Sequence, residues 1–157
     1  MKKFPMTDRG YARLEEELRR LKSVDRPAVI TALEDARGHG DIAENAEFHA
    51  AKERQAYVEG RVQELEDKIS RAEVIDVKKL SGKVVKFGAT VTLADEDTDE
   101  KSTYQIVGTD EAEIKSGLLS ITSPIARAII GKSVGDSVDV STPGGSKSFE
   151  IVKVRFK

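Results

Sequence analysis

Apolar positions in the first half of the chain recur at intervals of three and four. Tyr11, Leu14, Leu18 and Leu21 form one such seam, with Glu15, Glu16, Glu17, Arg19 and Arg20 between them. That period predicts an amphipathic helix with a narrow apolar stripe. Thr7 has the chemistry of its N-cap, with Asp8 in the first turn. Pro27 is expected to interrupt this helix. Ser23 and Asp25 are candidates to cap a restart, with Pro27 in the first turn, where a missing N–H does no harm. The restarted segment carries Val29, Leu33 and Ala36 on one face, with Ile30 beside them, and Gly38 and Gly40 end it. Asp41 then opens a longer helix. Its seam runs through Phe48, Ala51, Gln55, Val58, Val62, Leu65, Ile69 and Ala72, a heptad register without a slip. From Asp41 to Ala72 such a helix is ~45 Å long at ~1.5 Å per residue. Gly60 inside it costs about 1 kcal/mol relative to alanine. Two helical arms joined by a short turn fold back on each other. The pattern therefore predicts an antiparallel coiled-coil hairpin over residues 1–75, with a polar turn at its tip.

Near residue 74 the period changes. Val74 to Val77 is strand-like, and Ser81-Gly82 marks a turn. Val84 to Phe87 leads to Gly88, and Ala89 to Leu93 reads as a strand. The acidic run Asp95 to Glu100 reads as a hairpin loop, with Ser102 to Val107 as the returning strand. Leu118 to Ile121 is a short apolar strand. Ser123-Pro124 caps a short helix, Ile125 to Ile130, ended by Gly131. Ser137 to Val140 and Ser148 to Val154 flank the turn signal Thr142-Pro143-Gly144-Gly145. The second half is thus predicted to be a small, twisted, mostly antiparallel sheet domain holding one short helix, over residues 80–157. The fold class is α+β, with the boundary between about Ala72 and Ser81.

Composition narrows the function classes. The 157 residues are 38% apolar and 34% charged, with no tryptophan, which suits long exposed helices. Net charge is only −2, so any nucleic-acid contact must use a local patch. The chain has no cysteine, which excludes disulfides and thiolate metal sites and fits a reducing cytoplasm. The N-terminus lacks the apolar run of a signal peptide, and no stretch approaches the ~20 apolar residues that span a bilayer.

The tip turn holds three carboxylates, an amide and an imidazole: His39, Asp41, Glu44, Asn45 and Glu47. Asp41 and Glu44 are three apart, so on a helix they share a face. They resemble a capping box. Capping does not exclude chemistry. A helix N-terminus keeps nearby carboxylates ionised, while the same field weakens their hold on a cation. The pair alone is a poor Mg²⁺ site, and Mg²⁺ often completes its shell from a partner. A zinc site built with His39 and His49 fits no common spacing. Arg37 and Lys52 flank the tip, with Arg54 and Arg61 further along the second arm. They read either as solvated helix charge or as a guide for single-stranded nucleic acid. Phe48 is either the first seam residue or a base-stacking platform. Ala126 to Ser133 mimics the end of a phosphate-binding loop, but it lacks the first glycine and follows a helix. The run Asp95 to Glu100 lacks a calcium-loop pattern, and no Ser/His/Asp arrangement stands out.

The stretch Gly40-Asp41-Ile42-Ala43-Glu44-Asn45-Ala46-Glu47-Phe48-His49-Ala50-Ala51 resembles the tip signature of the bacterial Gre transcript cleavage factors. Ser123 to Lys132, Thr142 to Gly145, and Pro5-Met6-Thr7 with Gly10 resemble further blocks of that family, in the same order. The Pro-Ile-Ala-Arg block and the moderate basic content are similar to the less basic of its paralogous types. The resemblance implies a hairpin that enters the secondary channel of bacterial RNA polymerase. It implies a C-terminal domain, similar to FK506-binding proteins, that docks on the β′ rim through Ser120, Ser123, Pro124 and Ile125. It implies that Asp41 and Glu44 help hold a Mg²⁺ shared with the polymerase and its attacking water. The polymerase would then cleave the nascent RNA 3′ end in backtracked complexes. Asn45 and Phe48 would support the tip, and Arg37 and Lys52 would lie near the RNA. The factor would be a cytoplasmic monomer, with no cofactor of its own and no activity alone. Two positions depart from the family: Phe48 stands where Tyr is common, and Lys52 where Arg is frequent, which removes bidentate phosphate contact. The alternatives are a channel-binding regulator without cleavage, a helical interaction module, and a free-standing metal nuclease.

Overall fold

The computed structural model describes residues 2–38 and 45–157. They divide into two compact units, one holding Tyr11–Ala72 and the other holding Lys3–Gly10 with Glu73–Lys157.

The first unit is helical. Helix α1 (Asp8–Arg20) continues through a π-helical turn, Leu21–Asp25, into α2 (Arg26–Arg37). The sequence predicted a break and a capped restart here. Instead the backbone N–H of Arg26 reaches back five residues to the Leu21 carbonyl, and Asp25 is helical with no side-chain cap. One widened turn absorbs Pro27, whose ring and missing N–H disfavour a regular helix, and the arm stays continuous. Ser23 turns its hydroxyl onto the Arg19 carbonyl at 2.7 Å.

Helix α3 (Ala46–Ser70) is the return arm, 25 residues and roughly 37 Å long. Its predicted seam is largely the buried one: Phe48, Ala51, Val58, Val62 and Leu65 face inward, with Gln55 and Ile69 half-buried. From the first arm come Leu14, Leu21, Val29, Leu33 and Ala36. Ile30 lies outside the seam, 46% exposed. Ion pairs flank the stripe: Arg26 with Glu59 at 2.8 Å, Arg61 with Glu17 at 2.6 Å and Lys22 with Glu66 at 3.2 Å.

The second unit carries two sheets. Strand β1 (Phe4–Thr7), which the hydrophobic pattern did not reveal, pairs with β2 (Ala72–Ile75). The predicted hairpin domain began at residue 1. Residues Lys3–Gly10 group with the second unit instead, and the carboxylate of Glu111 binds the backbone N–H of Thr7 at 3.0 Å. The larger sheet is built from β3 (Thr90–Asp95), β4 (Lys101–Val107), β5 (Leu118–Ser120), β6 (Ser137–Thr142) and β7 (Gly145–Arg155). Its order is β5-β4-β3-β7-β6, antiparallel except for the parallel β4–β5 pair. A register shift between Thr92 and Leu93 interrupts the β3–β7 ladder. Asp95 organises the β3–β4 loop by accepting from the Asp97 and Thr98 amides at 2.9 and 3.3 Å. Gly145 supplies the positive φ (115°) of the β6–β7 turn. One face of the sheet carries α4 (Pro124–Ile129). The core between them includes Val85, Val91, Leu93, Ile106, Ala126, Ile129, Val140 and Ile151.

Candidate functional site

Two regions carry the residues singled out in the sequence. The first is the distal end of the hairpin. Helix α2 closes at Gly38, whose N–H bonds to the Asp35 carbonyl at 3.1 Å. The sequence opened the return helix at Asp41. The N-cap of α3 is Asn45, with extended backbone (φ −88°, ψ 96°). Asp41 and Glu44, with His39, lie outside the described residues.

Asn45 works at both ends of its amide. Oδ1 accepts from the Phe48 N–H at 3.0 Å, the bond of an N-cap. Nδ2 donates to the Ala36 carbonyl in the last turn of α2. One side chain therefore caps the second helix and fastens it to the first. Phe48, one turn along, is 8% exposed. Its ring packs in the seam, meets His49 edge-on at 5.9 Å and lies 5.9 Å from the Arg37 guanidinium. The burial leaves little of the ring open to stack on a base, and the Arg37 contact is a cation–π pair.

The four basic residues separate. Arg61 is held by Glu17 and Glu64, and Arg54 lies 3.7 Å from Asp25. The hydrogen bond from Arg61 holds the Glu17 carboxyl below the ordinary glutamate range, and the same bond raises the Arg61 guanidinium further. These two arginines serve the hairpin itself. Arg37 and Lys52 are exposed beside the tip, and Lys52 makes a long 3.4 Å contact to Gln55.

The second region is the turn from β5 into α4. Ser120 Oγ pairs with Thr122 Oγ1 at 2.8 Å and accepts from the Thr122 N–H at 3.2 Å. Ser123 caps α4 by accepting from the Ala126 N–H at 3.2 Å. Pro124 occupies the first helical position and is exposed, while Ile125 packs half-buried on the core. The two serines fix the turn, and Pro124 is what it presents. Sequence reading missed the bridge from Asn45 to Ala36. Its only signal was an Asn before a helical run, overshadowed by the stronger Asp41/Glu44 pattern.

Fold and side chains together define an α+β protein in which a helical hairpin with a polar tip is joined to a sheet domain. Comparison with known families assigns it further. Residues 4–74 match the N-terminal domain of the GreA/GreB transcription elongation factors, and residues 80–156 match their C-terminal domain. The chain is 64% identical over 156 residues to the transcription elongation factor GreA of Phenylobacterium zucineum, covering 99% of each. It is 63% identical over 156 residues to that of Rhodospirillum rubrum, again covering 99% of each. Among solved structures it aligns with GreA factor homolog 1 (Gfh1) of Thermus thermophilus at 29% identity and a TM-score of 0.45, covering 98% of this chain and 99% of that one. The chain belongs to the GreA/GreB family of transcription elongation factors.

Proposed function

We propose that this chain binds bacterial RNA polymerase, passes its hairpin into the secondary channel and stimulates cleavage of the nascent RNA 3′ end in backtracked complexes, so that elongation resumes. The supporting observation is the match to both family domains in a chain that carries Asp41 and Glu44 between its two helical arms. In this reading the chain is no enzyme alone, and it works in the cytoplasm as a monomer. No helix among the described residues is long and apolar enough to cross a membrane.

Mg²⁺ is the metal this chemistry calls for. Among the described residues no group of three or more His, Cys, Asp or Glu is placed to hold a metal. The amide of Asn45 is already engaged by Phe48 and Ala36. Asp41 and Glu44 are the fitting donors, hard carboxylate oxygens too few for a resident ion and suited to one shared with the polymerase. Held in part by Asp41 and Glu44, such an ion would supply Lewis acidity to a water and to the phosphodiester oxygens.

The rest of the work falls to this chain's own residues. Asn45 ties the start of α3 to α2, so the connector carrying both acids springs from two joined helix ends. Phe48 packs beneath that junction. Arg37 and Lys52 offer positive charge to RNA phosphates. Pro124, on the turn fixed by Ser120 and Ser123 with Ile125 behind it, meets the β′ rim.

A cleavage assay on stalled, backtracked polymerase tests this reading. Asp41→Ala and Glu44→Ala should each abolish stimulated cleavage while polymerase binding persists. Pro124→Glu should instead weaken binding. Cleavage retained in both tip variants sinks the acid assignment, and binding without cleavage in the wild-type chain identifies a channel-binding regulator instead.

A further inference from the structure

A groove of about 740 Å³ lies between α1 and α3, wholly within the helical unit. Its floor is apolar, from the buried Leu21 and Val58. The π turn builds one wall, since Leu21 and Asp25 are its first and last residues. Widened turns of this kind recur at functional sites.

Cross-arm contacts set the register of the groove. Arg61 reaches Glu17 at 2.6 Å, and Arg54 lies 3.7 Å from Asp25. Tyr57 falls between those two α3 positions. It therefore faces the stretch of the first arm between Glu17 and Asp25, which holds Arg20 and Leu21. Tyr57 lines the groove at 65% exposure, so most of its surface is open to a ligand. Arg13 and Arg20 line it too, both exposed and on one face of α1, roughly 10 Å apart at ~1.5 Å per residue.

Three acids share the lining, and two of them are engaged. Glu16 accepts two hydrogen bonds from Arg19, at 2.9 and 2.6 Å. Glu17 accepts two from Arg61, at 2.6 and 2.9 Å. Those bonds hold both carboxyls below the ordinary glutamate range. Each glutamate is thus compensated by an arginine of its own. The charge left to a ligand is that of Arg13, Arg20 and Arg54 against Asp25 alone. The Asp25 contact with Arg54 is long, which leaves its carboxylate oxygens able to accept from a hydroxyl.

We propose that this groove is a binding site for a nucleoside di- or triphosphate. The base stacks on the Tyr57 ring above the apolar floor. The phosphates take the guanidinium groups of Arg13, Arg20 and Arg54, and Asp25 accepts from a ribose hydroxyl. Guanidinium forks match phosphate oxygens two at a time. Stacking on an aromatic ring works for any base, so adenine and guanine nucleotides should bind alike. The volume is that of a small-ligand site. A di- or triphosphate concentrates its charge within one groove, whereas an acidic peptide or an RNA strand spaces single charges along a chain. The site requires neither the polymerase nor Asp41 and Glu44.

The test is calorimetric titration of the full-length chain at low salt, with amide chemical shifts followed in parallel. EDTA is present, so that no divalent metal bridges the ligand to Asp41 or Glu44. ATP and GDP should each bind saturably, one per chain, with shifts concentrated at Leu21–Asp25 and around Tyr57. Inorganic triphosphate should bind at least fivefold more weakly than ATP, and adenosine at least tenfold more weakly. Tyr57→Ala should weaken ATP at least fivefold and leave triphosphate within twofold, while Tyr57→Phe stays within twofold for both. Arg20→Ala should weaken ATP and triphosphate alike. Lys83→Ala, in the sheet unit, should alter neither.

No saturable binding of ATP to the wild-type chain overturns the site. Equal binding of ATP and triphosphate removes the stacking partner and overturns the nucleotide assignment, as does an unchanged ATP affinity in Tyr57→Ala. A single-stranded RNA oligomer or an acidic peptide that binds the same residues more tightly than ATP makes the groove a docking surface for that polymer and overturns the assignment too. The comparison of ATP, triphosphate and adenosine needs no variant, so it judges the site even where a substitution disturbs the helix.

Discussion

Leu65 in the hairpin and Ile151 in the sheet unit are equally hidden, each at 0% exposure. Their surroundings differ in kind. Leu65 belongs to a stripe one or two residues wide, bordered by ion pairs and exposed charge. Ile151 belongs to a closed cluster of β3, β4, β5, β6, β7 and α4 residues. A stripe tolerates interruptions: Gln55 sits in it half-buried. A closed core has no solvent edge toward which to relax. The hairpin is thus free to vary along its faces, while the core of the sheet unit is not. Alanine at each position tests this directly. Ile151→Ala should cost about 4 kcal/mol and Leu65→Ala about 2 kcal/mol, the upper and lower parts of the range for deleting a buried aliphatic side chain. Urea unfolding measures both. Equal losses would erase the distinction between stripe and core.

The caps give a smaller contrast. Asn45 and Ser123 both accept a hydrogen bond from the N–H three residues on, but only Asn45 also reaches a neighbouring helix. Asn45→Ala should cost about 2 kcal/mol and Ser123→Ala about 1 kcal/mol, a cap plus one further hydrogen bond against a cap alone. Exchange at the Phe48 amide should rise in the first variant. If the two losses match, the bridge to Ala36 adds nothing, and the hairpin end is no better tied than any capped helix.

Legibility in the sequence follows the same division. The seams of both arms, the hairpin loop at Asp95, the Ser123 cap and the Thr142–Gly145 turn were visible, because each is set by spacing or by local turn chemistry. What stayed hidden was set by distance or by a missing group. Strand β1 has four residues, too few for periodicity to register. Glu111 answers to Thr7 across 104 positions. Pro27 announced a break but not its remedy, since a π turn spends one residue to keep the arm continuous, and composition does not favour it over a restart. At the tip the Asp41 and Glu44 pattern lies outside the described residues, and the cap that is described, Asn45 on α3, makes a second bond that depends on a helix end nine positions earlier.

The smallest expected effect concerns the charges that border the stripe. Arg61 and Glu17 form a bidentate pair between the arms at 2.6 and 2.9 Å, with side chains 25% and 38% exposed. Water and salt screen such a pair, so removing it should cost only about 0.5–1 kcal/mol. The sign with pH follows from Glu17. Its folded carboxyl is held below the ordinary value of 4.5, first by the hydrogen bond from Arg61. The contribution is therefore complete above that value and is lost as pH falls through the lower folded one. Arg61→Ala should reduce stability near pH 7 at low salt. The difference from wild type should shrink in 1 M salt and again on acidification below the ordinary glutamate range. The Ile151→Ala deficit should follow neither, because burial of a methyl-rich side chain involves no proton and little screening. If the Arg61→Ala deficit is large and indifferent to salt, the arginine stem is packing the seam in place of pairing across it, and the hairpin border belongs with the core after all.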